Sequence, residues 1–398
     1  MTRSQRPEQP AGLGATFLLS ICVVVLGAAC ASSQKVEPIA AAPVQPKVKT
    51  AAEYVSDASS ALEGGDYAVA IKAYDAVLQR EPENAGIIYN RAYALHQVGD
   101  LDAAQAGYQK VLASEPTSID AAVNLGALLK EKGEVDRAIE VTKAALAQDE
   151  FNGRLLNNLS VLELNKGNHE AAVAAVRKLL MRDKENVDAY KNLSLVYFDQ
   201  KKYKLSQTIL ENALKMAEEQ GRQDPDIFVN LGMIYLARKE NGRAMAAFKR
   251  AKAIDGEHAV ANYNIGALAL GHRDYDLAAS SYETVSKSWR DNYDVVVGHG
   301  YALQGQGKLD EAASTLEKAR TLLTKLPTDR PQEDQQIILQ LMVIYQNAEQ
   351  PQKSLQYAEE YMKAEGLTCT EEDFDGFCGR YNGIKLMIQM AADAAAAP

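Results

Sequence analysis

The chain is predicted to be all-α, an α-solenoid of tandem helix-turn-helix hairpins, and three observations predict it. Asparagine recurs at Asn90, Asn124, Asn158, Asn192, Asn230 and Asn264, with gaps of 34, 34, 34, 38 and 34 residues. Apolar residues within each period follow helical rather than alternating spacing. No segment carries the alternation of a strand. A fixed period of this length marks a stack of near-identical helical hairpins. The 398 residues would otherwise suggest two or three ordinary domains, but a stack needs no single core, since each hairpin buries its apolar face on its neighbours.

Each unit is numbered from 1 to 34, and units one to eight start at Ala51, Ala85, Ile119, Gly153, Val187, Pro225, Ala259 and Tyr293. Position 8 then holds Ala58, Ala92, Gly126, Ser160, Ser194, Gly232, Gly266 and Gly300, and position 20 holds Ala70, Ala104, Ala138, Ala172, Ser206, Ala244, Ala278 and Ala312. All are small, which marks the close crossing of the two helices of each hairpin. Position 24 is large (Tyr74, Tyr108, Val176, Leu210, Phe248, Tyr282, Leu316) except at Thr142. Position 27 is apolar throughout and suits packing onto the next hairpin. Gly65, Gly99, Gly133, Gly167 and Gly307 fall at the bend between paired helices, where a left-handed conformation is useful. Pro82 and Pro116 end the second helices of units one and two. Unit five carries four extra residues, Gly221–Asp224, expected to lengthen the loop to unit six.

This pattern resembles the tetratricopeptide repeat (TPR) family. The stretches Val229 to Ala251 (VNLGMIYLARKENGRAMAAFKRA) and Tyr89 to Pro116 are close to its signature of large–Leu–Gly–Tyr followed by Ala, Phe, Ala and Pro. The resemblance covers residues 51–326; after a linker at 327–334, a weaker ninth unit follows at about 335–368. It implies a right-handed superhelix with a concave groove that binds protein.

The two ends differ from the repeats. Residues 1–29 have the form of an export signal: Arg3 and Arg6, then an apolar run from Ala11 to Gly27 too short to span a membrane comfortably. Leu26-Gly27-Ala28-Ala29-Cys30 resembles the bacterial lipobox, whose cysteine is lipidated; Gly27 stands where the family has an aliphatic residue, and plain cleavage after Ala31 is the alternative. By the same resemblance, Ala31 and Ser32 lack the aspartate that favours inner-membrane retention, which implies an outer-membrane anchor facing the periplasm. Residues 30–50, with three prolines and no helical pattern, are expected to be a lipidated start and a flexible tether. Cys369 and Cys378 suit a short-range disulfide in an oxidising compartment, worth about 2–3 kcal/mol by loop closure; two free thiols are the alternative. Residues 381–397 are expected to form a last helix whose Ile384, Met387, Ile388 and Ala391 face caps the stack.

Composition excludes several functions. Net charge is −10, and loss of Arg3, Arg6 and Glu8 with the signal takes it to −11, so a nucleic-acid role is not expected and membrane contact is expected only through the lipid. His96, His169, His258, His272 and His299 lie in different repeats with no ligand spacing, so no metal, cofactor or catalytic residue is assigned. The acidic cluster Glu371, Glu372, Asp373 and Asp375 does not match a calcium loop. Trp289 is read as packing.

The asparagine row is the candidate site. The TPR resemblance places position 6 in the concave groove, where some members use an asparagine ladder against an extended peptide. An amide carries both a donor and an acceptor and pairs with a peptide backbone whatever its sequence. Positions 5, 9 and 12 would supply neighbours, among them Tyr89, Tyr93, Lys130, Lys191, Phe198, Met233 and Tyr263, with Arg154 between. The competing reading is that asparagine merely satisfies local helix contacts. The expected function is a non-enzymatic scaffold that binds an envelope protein. Lipid anchor, long repeat body and cysteine-closed tail also resemble TPR lipoproteins of bacterial gliding-motility complexes. A pilotin-like assembly factor and a self-associating spacer are the alternatives.

Overall fold

The computed structural model describes residues 49–326 and 330–396. The predicted export segment, Cys30 and nearly all of the predicted tether lie outside the described residues. Contacts set apart a compact unit, Thr50–Pro398, that carries every helix described.

Among the described residues there are 19 α-helices and no strand. The hairpins are α1 (Ala51–Glu63) with α2 (Tyr67–Leu78), α3 (Ala85–Gln97) with α4 (Leu101–Ser114), α5 (Ile119–Glu131) with α6 (Val135–Leu146), and α7 (Gly153–Asn165) with α8 (His169–Arg182). They continue as α9 (Val187–Asp199) with α10 (Tyr203–Glu219), α11 (Pro225–Ala237) with α12 (Asn241–Ile254), α13 (Ala259–Gly271) with α14 (Tyr275–Ser286), and α15 (Tyr293–Gly305) with α16 (Leu309–Leu323). A ninth hairpin, α17 (Pro331–Asn347) with α18 (Pro351–Glu365), precedes α19 (Gly376–Ala396). Each first helix of units one to eight opens at position 1 of the sequence register.

Local chemistry explains these starts. Asn84, Asn152, Asn186 and Asn292 cap first helices by accepting from the backbone N–H of Ile87, Leu155, Ala189 and Val295. Asp66, Asp100 and Asp274 do the same for second helices. Such caps satisfy N–H groups that a helix start leaves unpaired. The bends need one left-handed residue. Glycine supplies it at Gly65, Gly99, Gly133, Gly167 and Gly307, whereas Lys201, Lys239, Arg273 and Glu349 adopt it at φ of 56–62° in units five, six, seven and nine.

The small residues of position 8 are explained by position 24 of the same hairpin. A β-carbon on Gly232 would fall 2.5 Å from the Phe248 ring, and one on Gly300 would fall 2.7 Å from Leu316. Position 20 is buried without exception in units one to eight. This interlocking of large on small gives a succession of apolar clusters along the stack, from Ala58 to Ile384.

Three expectations are corrected. The four extra residues of unit five do not lengthen a loop. Gly221–Asp224 stay in the connection, but α10 runs on to 17 residues and takes up the added length, so the connection Gln220–Asp224 is shorter than Gln79–Asn84 between α2 and α3. The run ENALKMAEE is made of strong helix formers with no proline, so the helix gains a turn that buries Ala217. The predicted linker is partly helix: α17 starts at Pro331, whose fixed φ suits a first helical position. The terminal helix also begins earlier, at Gly376, and packs through Phe377, Tyr381, Ile384 and Ile388 against Met342 and Ala358. Met387 is 42% exposed and Ala391 is exposed, so neither belongs to the packed face.

The ninth hairpin is held by polar side chains as well. Arg320 on α16 donates to Asp334 at 2.7 and 3.1 Å and to Glu360 at 2.6 and 3.3 Å. Tyr345 and Tyr357 stack at 5.7 Å and both donate to one oxygen of Glu317, at 2.7 and 2.9 Å. Burial and the Glu317 carboxylate together push the Tyr345 hydroxyl up to about 12. A disulfide joins Cys369 to Cys378 and closes the loop between α18 and α19.

Candidate peptide-binding face

Successive first helices touch one another directly: α3 on α5, α5 on α7, α7 on α9, α9 on α11 and α13 on α15. Successive second helices make no comparable contact. The first helices therefore crowd on the inner side of the curved stack. All six asparagines lie on these helices at position 6, and all six are half-buried.

For Asn90, Asn124 and Asn158 the surroundings follow from position 24 of the unit before. Asn90 lies beside the buried hydroxyl of Tyr74, and Asn124 beside that of Tyr108. Neither hydroxyl makes a well-formed hydrogen bond, and burial pushes both up. Asn124 donates instead to the Tyr89 hydroxyl at 2.8 Å. Asn192 donates to Oδ1 of Asn157 in the preceding unit at 3.2 Å. Asn264 donates to its own helix, to the Val260 carbonyl at 2.8 Å. Asn158 has a different environment. Its Nδ2 is buried with no hydrogen-bond partner, against Gly126 and Thr142, where position 24 is small. A buried amide donor left unmade costs about 1–3 kcal/mol.

The row stops at unit eight for a packing reason. Position 6 there is Gly298, and a β-carbon on it would fall 2.4 Å from Cζ of Tyr282. Beyond this gap the amide phase returns. Gln340 occupies position 6 of the ninth unit in the register that puts Glu349 at the bend, and Gln304 donates to it at 3.2 Å. With Tyr301, Asn347 and Arg273 these amides line an open cavity of about 530 Å³. Gln304, Gln340, Asn347 and Tyr301 escaped the sequence reading, which followed asparagine alone; phasing the ninth unit on its bend would have found Gln340.

The neighbours are mixed. Tyr89 packs on Tyr108 at 5.8 Å and Tyr263 on Tyr282 and Trp289 at 6.1 and 6.0 Å, so Trp289 is a packing residue. Phe198 packs on Tyr203 at 5.5 Å; Tyr93 is half-buried and Met233 is 37% exposed. The three cations differ. Lys130 is exposed, whereas Arg154 pairs with Asp120. Lys191 is largely buried and reaches Asp224 at 2.8 Å, Asp188 at 3.0 Å and Asp226 at 3.7 Å. Arg222 adds bonds to Asp188 and Asp224, and His258 reaches Asp226 at 3.1 Å. Lys191 thus fastens unit five to unit six rather than offering a free charge.

Profiles of the tetratricopeptide repeat family match residues 61–129, 95–162, 157–206, 191–259 and 263–327. The chain belongs to the tetratricopeptide repeat family. A tetratricopeptide repeat protein from Parabacteroides merdae superposes with a TM-score of 0.53 at 18% identity, covering 64% of this chain and 98% of that one. PilW, described as a type IV pilus biogenesis factor, gives 0.43 at 18% identity over 52% of this chain and 94% of its own. MamA from Desulfovibrio magneticus gives 0.39 at 20% identity over 43% and 96%. At these identities the likeness to the Parabacteroides protein concerns the fold alone, and the two lower scores carry no argument. Among curated proteins no sequence matches. TPR stacks are protein-binding modules, so the chain is read as a protein-interaction scaffold.

Proposed function

We propose that this TPR protein is an exported lipoprotein, anchored by Cys30 in the outer membrane and facing the periplasm, that grips an extended segment of an envelope protein with its inner face. The observation that carries the reading is the amide row: six half-buried asparagines at one phase of six first helices, resumed by Gln340. Internal bonds use the NH₂ groups of Asn192 and Asn264, which leaves their oxygens to accept backbone N–H groups of a bound chain. Asn90 and Asn230 keep both functions for a ligand. The complex served is an envelope machine of the gliding-motility type by outline of the chain.

The test is affinity capture from solubilised envelopes with mass spectrometry, comparing wild type with the Asn90→Ala/Asn230→Ala double variant. Loss of a specific partner in the variant, at unchanged helicity, supports the reading. Equal capture makes the row a structural device. Fatty-acid labelling that persists in Cys30→Ala would end the anchor assignment.

A further inference from the structure

We propose that the outer face of α19, with the disulfide-closed loop before it, is an isologous contact for a second copy of this chain. This goes beyond the groove reading and uses none of its residues. Half of the exposed large apolar side chains among the described residues fall between Leu367 and Met390: Leu367, Phe374, Leu386, Met387 and Met390. Phe374 is 82% exposed and Met390 62%. The end of a stack is where a polar outer surface is needed to keep the last core covered, and exposed apolar side chains gathered at one end mark a contact.

The patch carries both a projection and a recess. Phe374 and Leu386 stand beside an open cavity of about 450 Å³ floored by Gly379 and Gly383. Gly379 is required by packing, since a β-carbon there would lie 2.1 Å from the Phe374 carbonyl. Gly383 is not: nothing lies within 4 Å of its would-be β-carbon, although glycine weakens a helix interior. Its bare backbone leaves room for close approach from outside the molecule. Projection and recess on one surface are what a two-fold contact requires, each copy filling the other.

Charge argues for a second copy. Glu371 on the loop wall and Lys385 on the helix wall border the recess, and neither has an ion-pair partner among the described residues. A two-fold axis brings unlike walls together. A lipid surface fits poorly, because Glu371, Glu372, Asp373 and Asp375 crowd the same edge and anionic headgroups repel them.

Sedimentation velocity tests this on the chain from residue 31 onward, which contains the whole compact unit. Wild type should pass from monomer to dimer with rising concentration. Leu386→Glu, Met390→Glu and Gly383→Leu should remain monomeric with unchanged circular dichroism. Glu371→Lys and Lys385→Glu should each weaken dimerisation about tenfold, and the double reversal should recover it. A wild type monomeric at every concentration, or a dimer indifferent to these variants, overturns the proposal. So does a monomer that floats with anionic vesicles and loses this with Leu386→Glu, which would give the surface to lipid. Asn90→Ala/Asn230→Ala should dimerise normally, so the two readings fail separately.

Discussion

The junction of the seventh and eighth hairpins and the outer face of the terminal helix both place glycine in the middle of a helix, for opposite reasons. At the junction, Tyr282 lies across Gly298 so closely that no β-carbon fits. On α19, Gly383 faces nothing within 4 Å. The first glycine is dictated by what the chain packs against itself. The second has no explanation inside the chain. The contrast separates positions where the fold has used up its freedom from positions left open for a partner.

The largest effect should come from the filled interior. Lys191→Met leaves the buried Asp224 beside two other carboxylates with Arg222 as its one cation among the described residues, and should lower unfolding free energy by about 3 kcal/mol in urea titrations. Its pH profile sharpens the point. Burial pushes the Asp188 carboxyl up, but bonds from Arg222 and Lys191 outweigh this and hold it below the usual carboxylate value. Its contribution is present above the unfolded aspartate value and is lost as pH falls through the lower folded one. Burial pulls the Lys191 ammonium down, but bonds to Asp224 and Asp188 outweigh it and hold it above the usual lysine value. That contribution is present below the unfolded lysine value and is lost as pH rises through the higher folded one. The gap between wild type and variant should therefore be widest between about pH 5 and 9 and close towards both ends. A gap independent of pH would show that lost packing, not charge, dominates.

Next comes Gly298→Ala, which overpacks Tyr282 and should destabilise by about 2 kcal/mol in thermal or urea unfolding. Gly383→Ala should do the reverse and stabilise by about 1 kcal/mol, since it removes a helix-weakening glycine from open space. Equal losses at both positions would erase the distinction between them. The smallest change is expected at Asn158→Ala, where an unpartnered buried amide disappears: a gain of up to about 1 kcal/mol, with weaker partner capture if this amide is kept for a ligand.

The stack was legible because its constraint repeats. Large side chains at position 24 need small ones at position 8, and seven recurrences of that pair, with Thr142 the exception, fix the register of the helices. The rest was hidden where one structural role is filled by different residues. Lys201, Lys239, Arg273 and Glu349 turn the chain as glycine does elsewhere, because the flanking helices hold the bend in place. Gln340 takes the asparagine phase with a longer amide. The face of α19 was misjudged because its packing begins at Phe377, next to a disulfide that sets where the helix meets the hairpin, and periodicity counted from Tyr381 does not contain that anchor. For the site, the row's location was readable; which amide groups are already engaged was not, since that depends on neighbours in the unit before, as at Asn192, or on the same helix, as at Asn264.

Glu317 and Arg320 sit on the eighth hairpin yet hold side chains from both helices of the ninth. A linear array of this kind ordinarily frays from its tip, one module at a time. Here the last module cannot leave without stranding a carboxylate and a guanidinium, so the final two should melt as a single cooperative step. Amide exchange along α15 to α18 would then proceed with one common opening energy, and the tip would stay in place to deliver whatever load α19 receives.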